Sequence, residues 1–438
     1  MLTLIGLLTI VCLVALLLGG RVAPVVALVL VPVAGALVAG FGPAEITEFF
    51  GSGLARVTPI AAMFIFAILF FGVLQDTGLF RPIINGLVAA TRGNVVAVTV
   101  MTAVLGMVAQ LDGAGATTFL LTVPALLPLY RELKMSPYLM LLLLALGAGI
   151  FNMLPWAGPL GRAAAVTGLD VTDLWRPLIP VQAAGAVLLV ALAAGLGLRE
   201  RRRIATGHGW TPAPGSMADT FTGLGDDDAE ARALRRPGRI WINAILFVTV
   251  LAVLVAGVLP AALAFMIGLS LALVINYPDG KAQMARISAH AASALKMGSI
   301  ILAAGAFLGI VDGSGMLRAI AQSLATVLPD AMLPMLHIIL GVLGLPMELL
   351  LSTDAYYFGL LPVALEIVTP LGVDPASTVY ALVIGNIIGT FISPFSPALW
   401  LALGLAGLEM GRHIRYAFWW MWAFSLAMLG VGWALGLF

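Results

Sequence analysis

The sequence predicts an all-α polytopic membrane protein made of two inverted repeats, each with three spans, a re-entrant hairpin, a broken helix and a final span. Three observations carry this. Of the 438 residues, 61% are hydrophobic and only 10% are charged, whereas a soluble domain carries roughly a quarter charged residues. Apolar runs long enough to cross a bilayer recur along the chain, bounded by charges, Pro or Gly. Twice, a carboxylate among small and hydroxyl-bearing residues interrupts such a run, and about forty residues later a Pro-containing break follows. The net charge of +1 is uninformative about nucleic acid, but the absence of a basic stripe interleaved with aromatics sets such a partner aside. The single cysteine, Cys12, excludes a disulfide framework and a thiol-rich metal site.

In chain order, spans are expected at 3–19, 23–41 and 57–75. The first lacks the positive leader of a secretory signal and is read as a transmembrane helix. Two shorter apolar pieces, 94–111 and 117–130, join at Asp112–Ala116 as a re-entrant hairpin, with Arg92 at one end and Arg131 and Lys134 at the other. The run 138–165 is interrupted at Asn152–Pro159 and reads as two half-helices. A span at 177–197 closes the first repeat, residues 1–198. Residues 199–239, with eight arginines, a Gly/Pro/Ser/Thr-rich middle and Asp226–Asp228, form a linker. The second repeat, 240–438, follows the same plan. Its spans are 240–258, 260–277 and 292–311, then a hairpin at 331–369 with its tip at Ser352–Asp354. A helix over 376–408, broken at Ser393–Pro397, and a span at 416–437 complete it.

An odd number of crossings per repeat inverts the second relative to the first. With both termini outside and the linker cytoplasmic, inside loops carry Arg21, Arg81, Arg92, Arg131, Lys134, the linker arginines, Lys281, Arg286, Arg412 and Arg415. Outside loops carry only Arg56, Arg176 and Arg318. This places the chain in the plasma membrane with many passes through the lipid bilayer.

Hairpin tips and helix breaks of paired repeats meet near the bilayer midplane, where transporters hold their substrates. Half-helices that start there aim N–H groups and positive dipole ends at the site, which favours an anion. The expected substrate ligands are Gly113, Gly115, Thr117, Thr118, Asn152, Pro155, Trp156, Gly158, Arg162, Ser352, Thr353, Tyr356, Asn386, Ser393, Pro394 and Ser396. Arg162 has no acidic neighbour in sequence, so a substrate carboxylate is its expected partner. Carbonyls near Asn386 and Pro394 can face a cation. Asp112 and Asp354, read as matching positions of the two tips, are the candidates for proton or cation coupling, and each can also cap the following half-helix. Glu348 and His337 are weaker proton carriers, read as satisfied locally. No Walker loop, H-E-x-x-H or G-x-S-x-G constellation is present. Secondary transport is the remaining reading, ahead of a membrane scaffold or an intramembrane enzyme.

Four stretches together carry a family resemblance. They are Phe66–Phe80 (FAILFFGVLQDTGLF), Leu111–Tyr130, Pro155–Pro159 with Arg162, and Asp354–Gly359, the last followed by Gly385–Asn386 and Ser393–Ala398. In these the chain resembles the citrate-metal:proton symporter (CitMHS) family of the ion transporter superfamily. The resemblance implies import of citrate as its complex with a divalent metal ion, driven by protons, with no permanently bound cofactor. It further implies a homodimer and an elevator motion in which hairpins and broken helices move while spans such as 23–41 and 260–277 stay fixed. Chelated, trivalent citrate keeps one net negative charge, which suits one arginine and helix N-termini. The family's first tip often reads D-G-D-G, and here Ala114 replaces the second acid. The competing reading, sodium-coupled di- or tricarboxylate symport, would be expected to use neutral tips.

Overall fold

The computed structural model describes residues 1–19, 22–79, 93–113, 115–210, 233–325 and 332–438, with 82, 86, 91 and 329. Arg21, Arg81, Arg92, Ala114, Asp226–Asp228 and Arg232 lie outside the described residues. Among the described residues every regular element is helical and none is a strand.

The first half comprises α1 (Leu2–Gly19), α2 (Pro24–Val38), α3 (Pro43–Asp76), α4 (Val95–Ala109), α5 (Gly115–Glu132), α6 (Pro137–Phe151), α7 (Gly158–Thr167), α8 (Val171–Trp175) and α9 (Leu178–Ala205). The second comprises α10 (Ile240–Ala256), α11 (Ala261–Asn276), α12 (Gly280–Gly313), α13 (Met316–Ala325), α14 (Leu336–Met347), α15 (Leu361–Val368), α16 (Pro375–Asn386), α17 (Pro397–Ala406) and α18 (Met410–Ala434). In each half, two short helices precede one of 34 residues. Then come a hairpin (α4–α5; α14–α15), a broken helix (α6–α7; α16–α17) and a last long helix.

The 34-residue helices exceed the expected spans 57–75 and 292–311 because helix does not stop where hydrophobicity does. Residues 43–56 continue α3 behind Gly42, whose N–H donates to Glu45. Asp279 caps α12 by accepting from Ala282 N. Two further elements escaped the sequence reading. Helix α8 is five residues long and starts at Asp170, whose carboxylate accepts from the N–H groups of Thr172 and Asp173. Amphipathic α13 packs on α1, where Gly6 faces Met316 and Ile320.

The long helices cross each other at the centre of the frame. Gly53 of α3 lies against the Gly305 carbonyl and Gly309 of α12, and Gly309 against the Phe49 carbonyl, so a Cβ at any of the three would collide with backbone. Small residues at i, i+4 permit such an approach, which in lipid is driven by packing. The short helices are exchanged across the crossing: α2 packs on α12, and α11 on α3.

Several basic residues expected in inside loops lie in local hydrogen-bonded or ion-paired clusters. The Lys134 carbonyl accepts from Trp210 N. Glu200 accepts from Ser136 N and from Arg203. Arg236 N donates to the Thr77 carbonyl and its Nε to the Asn276 carbonyl. Arg286 and His290 face Asp76. Those expected on the opposite face are elsewhere: Arg56 near Asp312, and Arg176 donating to the Val255 carbonyl.

Candidate functional site

The hairpins and broken helices interlock. Arm α4 lies on α6 of its own half, and α5 on α17 of the other; likewise α14 lies on α16, and the start of α15 on α7. Close backbone crossings set the depth. Gly106 and Gly147 bring α4 and α6 together, and Gly341, Gly344 and Gly385 do so for α14 and α16, with no room for a Cβ at these points.

One helical turn beyond each crossing sits a buried polar pair. In the first half, Gln110 Nε2 donates to Asn152 Oδ1 at 3.3 Å and the Thr118 hydroxyl donates to Gln110 Oε1 at 2.7 Å. In the second half, Asn386 Nδ2 donates to Glu348 Oε1 at 2.8 Å and the Tyr357 hydroxyl donates to Asn386 Oδ1 at 3.2 Å. Gln110, Thr118, Glu348, Tyr357 and Asn386 are all fully buried, and Asn152 nearly so.

The first broken helix meets the second hairpin at an ion pair. Arg162 of α7 folds back over Gly158, and its Nε lies 2.7 Å from Oδ1 of Asp354, with side chains 9% and 14% exposed. Arg162 therefore has an acidic partner after all, brought from the other half rather than from its sequence neighbourhood. Asp354 does not cap the following turn, because its carboxylate lies on the arginine. That turn, Ala355–Leu360, is a π-helical segment that packs on α7.

Asp112 and Asp354 are not equivalent positions. Asp112 ends the 3-10 turn Gln110–Asp112 that leads out of α4, two residues after Gln110. Asp354 directly precedes the second arm, six residues after Glu348. The two tips differ in length before the return arm begins, so similar composition placed the acids on opposite sides of the bend.

Trp156 is a packing and positioning residue. Its Nε1 donates to the Leu111 carbonyl at 2.8 Å and its indole is enclosed by Phe71, Phe265 and Trp175. It holds Gly113, which has φ +74°, against the first break. Gly115 faces Phe391 and Ala398, tying the first tip to the second break. Thr117 is half-buried beside it, and Pro155 is buried within the first break.

In the second break, α16 ends at Asn386 rather than near Ser393, and a 3-10 turn over Gly389–Phe391 intervenes. Ser393 accepts from Phe395 N and the Pro394 carbonyl accepts from Trp400 Nε1, so that carbonyl is not turned to a cation. Buried Ser396 is the N-cap position of α17 without a side-chain cap bond. Ser352 accepts from Ala355 N, and half-buried Thr353 faces Glu348. The Tyr356 hydroxyl points at the carbonyls of Leu340 in α14 and Leu382 in α16, away from the tip, while neighbouring Tyr357 joins the Asn386 network. His337 is buried near the start of α14, eleven residues before Glu348.

Gln110 and the central place of Glu348 were not drawn from the sequence. A signal was present: Gly106-x-x-x-Gln110 and Gly344-x-x-x-Glu348 occur at the same point of the two halves. Among the described residues no group of three or more His, Cys, Asp or Glu side chains is placed to hold a metal. A cavity one turn beyond Arg162, lined by Val166, Thr167, Leu365, Glu366, Thr369, Pro370 and Pro375, lies between α7 and the end of α15.

The chain matches the family model described as "Citrate transporter" over residues 5–385. It is 37% identical over 431 residues to "Citrate transporter" of Bacillus subtilis (strain 168), covering 98% of this chain and 97% of that protein. It is 35% identical over 436 residues to "Mg(2+)/citrate complex secondary transporter" of the same organism, covering 100% and 99%. Among solved structures it is similar to the YdaH transporter of Alcanivorax borkumensis, with TM-score 0.59, 18% identity and coverage of 91% and 89%. That likeness concerns the fold.

Proposed function

The chain belongs to the citrate transporter family and is a transporter, not an enzyme; from that premise we propose that it imports citrate as a complex with a divalent metal ion, coupled to protons. The Arg162–Asp354 pair is the observation that carries the reading. A nearly buried guanidinium needs a carboxylate partner. At rest Asp354 fills that role, and a carboxylate of the incoming complex replaces it like for like. Released, Asp354 faces the cargo's metal ion, with Asp112 at the other tip as the second acidic contact. Thr117, Thr353, Ser393 and the N-terminal N–H groups of α5, α7 and α17 complete a shell for a complex of one net negative charge.

The two halves act as inverted repeats, with both termini outside and the linker cytoplasmic. The crossed α3 and α12, with α2 and α11, form the fixed part, and the interlocked hairpins and broken helices move as one body in an elevator cycle. A homodimer anchors the fixed part. Support for the frame comes from the glycine crossing, whose backbone contacts leave no slack for sliding.

The test is uptake of radiolabelled citrate into proteoliposomes under an inward proton gradient, with magnesium, calcium or chelator outside. Uptake that requires both metal and gradient is expected. Uptake driven by sodium and indifferent to chelator would overturn the metal and the proton together.

A further inference from the structure

We propose that Glu348 is the residue that carries the coupled proton, and that Gln110 is its fixed, proton-free counterpart in the other half. The inference rests on the proton-coupled reading above and assigns its proton to a group other than the two tip aspartates.

Three observations lead to it. The first is equivalence. Glu348 and Gln110 each follow a close glycine crossing by four residues and each pair with the asparagine at the end of the first half of the broken helix. One repeat places an amide there and the other a carboxyl, so at this position the two halves differ by the exchange of a neutral group for an ionisable one.

The second is the state of that carboxyl. It is 0% exposed, and Asn386 Nδ2 is the donor to Oε1. The amide's orientation is set by Tyr357, whose hydroxyl donates to Asn386 Oδ1. Oε2 has no hydrogen-bond partner among the described residues. Glu348 Cβ and Cγ occupy the space that a side chain at Gly389 would need, so the glycine makes room for the carboxyl. A buried carboxyl with one oxygen engaged by a neutral amide and the other unengaged has a vacant position for a proton.

The third is its relation to the ion pair. The charged and titratable groups that face Glu348 are Arg162 from α7 and Tyr356 and Tyr357 from the π-helical turn, with the hydroxyls of Thr353 and Ser393 beside it. Arg162 is bonded to Asp354. When a substrate carboxylate takes over Arg162, a second negative charge enters next to Glu348. A proton on Oε2 then keeps the loaded site from gathering like charges, since two carboxylates sharing a site do not both ionise readily. Unloading reverses this: as the complex leaves, Arg162 regains Asp354, and the proton departs. The same linkage couples one proton to one complex of single negative charge, so the loaded body crosses without net charge from the cargo.

Glu348→Gln makes the second half resemble the first and preserves shape. The measurement compares two activities of the full-length protein in proteoliposomes with magnesium and labelled citrate: accumulation under an inward proton gradient, and citrate–citrate exchange at equal pH on both sides. For Glu348→Gln we expect loss of gradient-driven accumulation, retention of exchange, and exchange that no longer varies with pH. Glu348→Asp, which keeps an acid, is expected to regain gradient response. Gradient-driven accumulation by Glu348→Gln equal to wild type would overturn the assignment while leaving proton symport intact. A wild-type protein that ignores the gradient would instead overturn the underlying reading. Loss of both activities in Glu348→Gln, with citrate binding also lost and no recovery in Glu348→Asp, would make the residue structural and overturn the proposal.

Discussion

Arg162 Nε and Asp354 Oδ1 lie 2.7 Å apart although 192 residues separate them, and theirs is the charged contact that joins the first broken helix to the second hairpin. Removing one partner of a nearly buried pair strands the other. Arg162→Ala is expected to cost about 3–5 kcal/mol of stability by that argument, and the double variant R162A/D354A to recover most of it. Thermal unfolding in detergent checks this. Arg162→Lys keeps the charge but loses the planar fork. It should lose citrate uptake with little change in unfolding temperature.

Trp156 fixes the first tip through one hydrogen bond and three aromatic neighbours. Trp156→Phe keeps most of the ring packing and deletes the bond to Leu111. A loss of about 1 kcal/mol follows from the usual net worth of a hydrogen bond, and the displaced tip should raise the KM for citrate. Unchanged KM with lowered stability would confine Trp156 to packing.

Glycine substitutions separate the crossings from ordinary helix. A methyl at Gly385 would run into the Gly341 backbone, so Gly385→Ala should abolish monodisperse expression. Gly404 in α17 has open space around it. Gly404→Ala should be neutral or stabilise by up to about 1 kcal/mol, the helix propensity difference. Size-exclusion profiles and unfolding temperatures distinguish the two.

Adjacent tyrosines should behave differently. Tyr357→Phe frees Asn386 Oδ1 and lets the amide turn, weakening its grip on Glu348, so the ratio of gradient-driven uptake to exchange should fall. Tyr356→Phe removes contacts of 3.4 and 3.5 Å to carbonyls of α14 and α16 and should alter stability alone. Equal effects on coupling would show that Asn386 is held by something other than Tyr357.

Much of the fold was legible because lipid imposes strong constraints on a chain. Apolar length placed the helices, and Pro and Gly placed the breaks: α6 stops at Phe151 and α7 starts at Gly158, inside the expected interval. The polar ends of α3 and α12 were not legible, since helix there is sustained by caps and packing rather than by hydrophobicity. Within the site, single residues were easier to read than pairs. Arg162 stood out as a charge in an apolar run, yet its partner could not be found by scanning neighbours, because the fold supplies it from the other half. Glu348 was undervalued for the complementary reason. Local sequence shows a lone acid, and the shared Gly-x-x-x spacing marks it as the counterpart of Gln110 once the glycine crossings give that spacing a meaning.

The exchange of partners between halves has a consequence for how the protein must be made. Each hairpin packs against helices from both halves, and the ion pair draws one residue from each. Neither half owns a finished cradle. A chain severed between Trp210 and Ala233 and produced as two pieces would yield two inert membrane fragments when expressed singly, and transport only when both are inserted together. Joining the halves in one chain ensures equal supply of two parts that have no use apart.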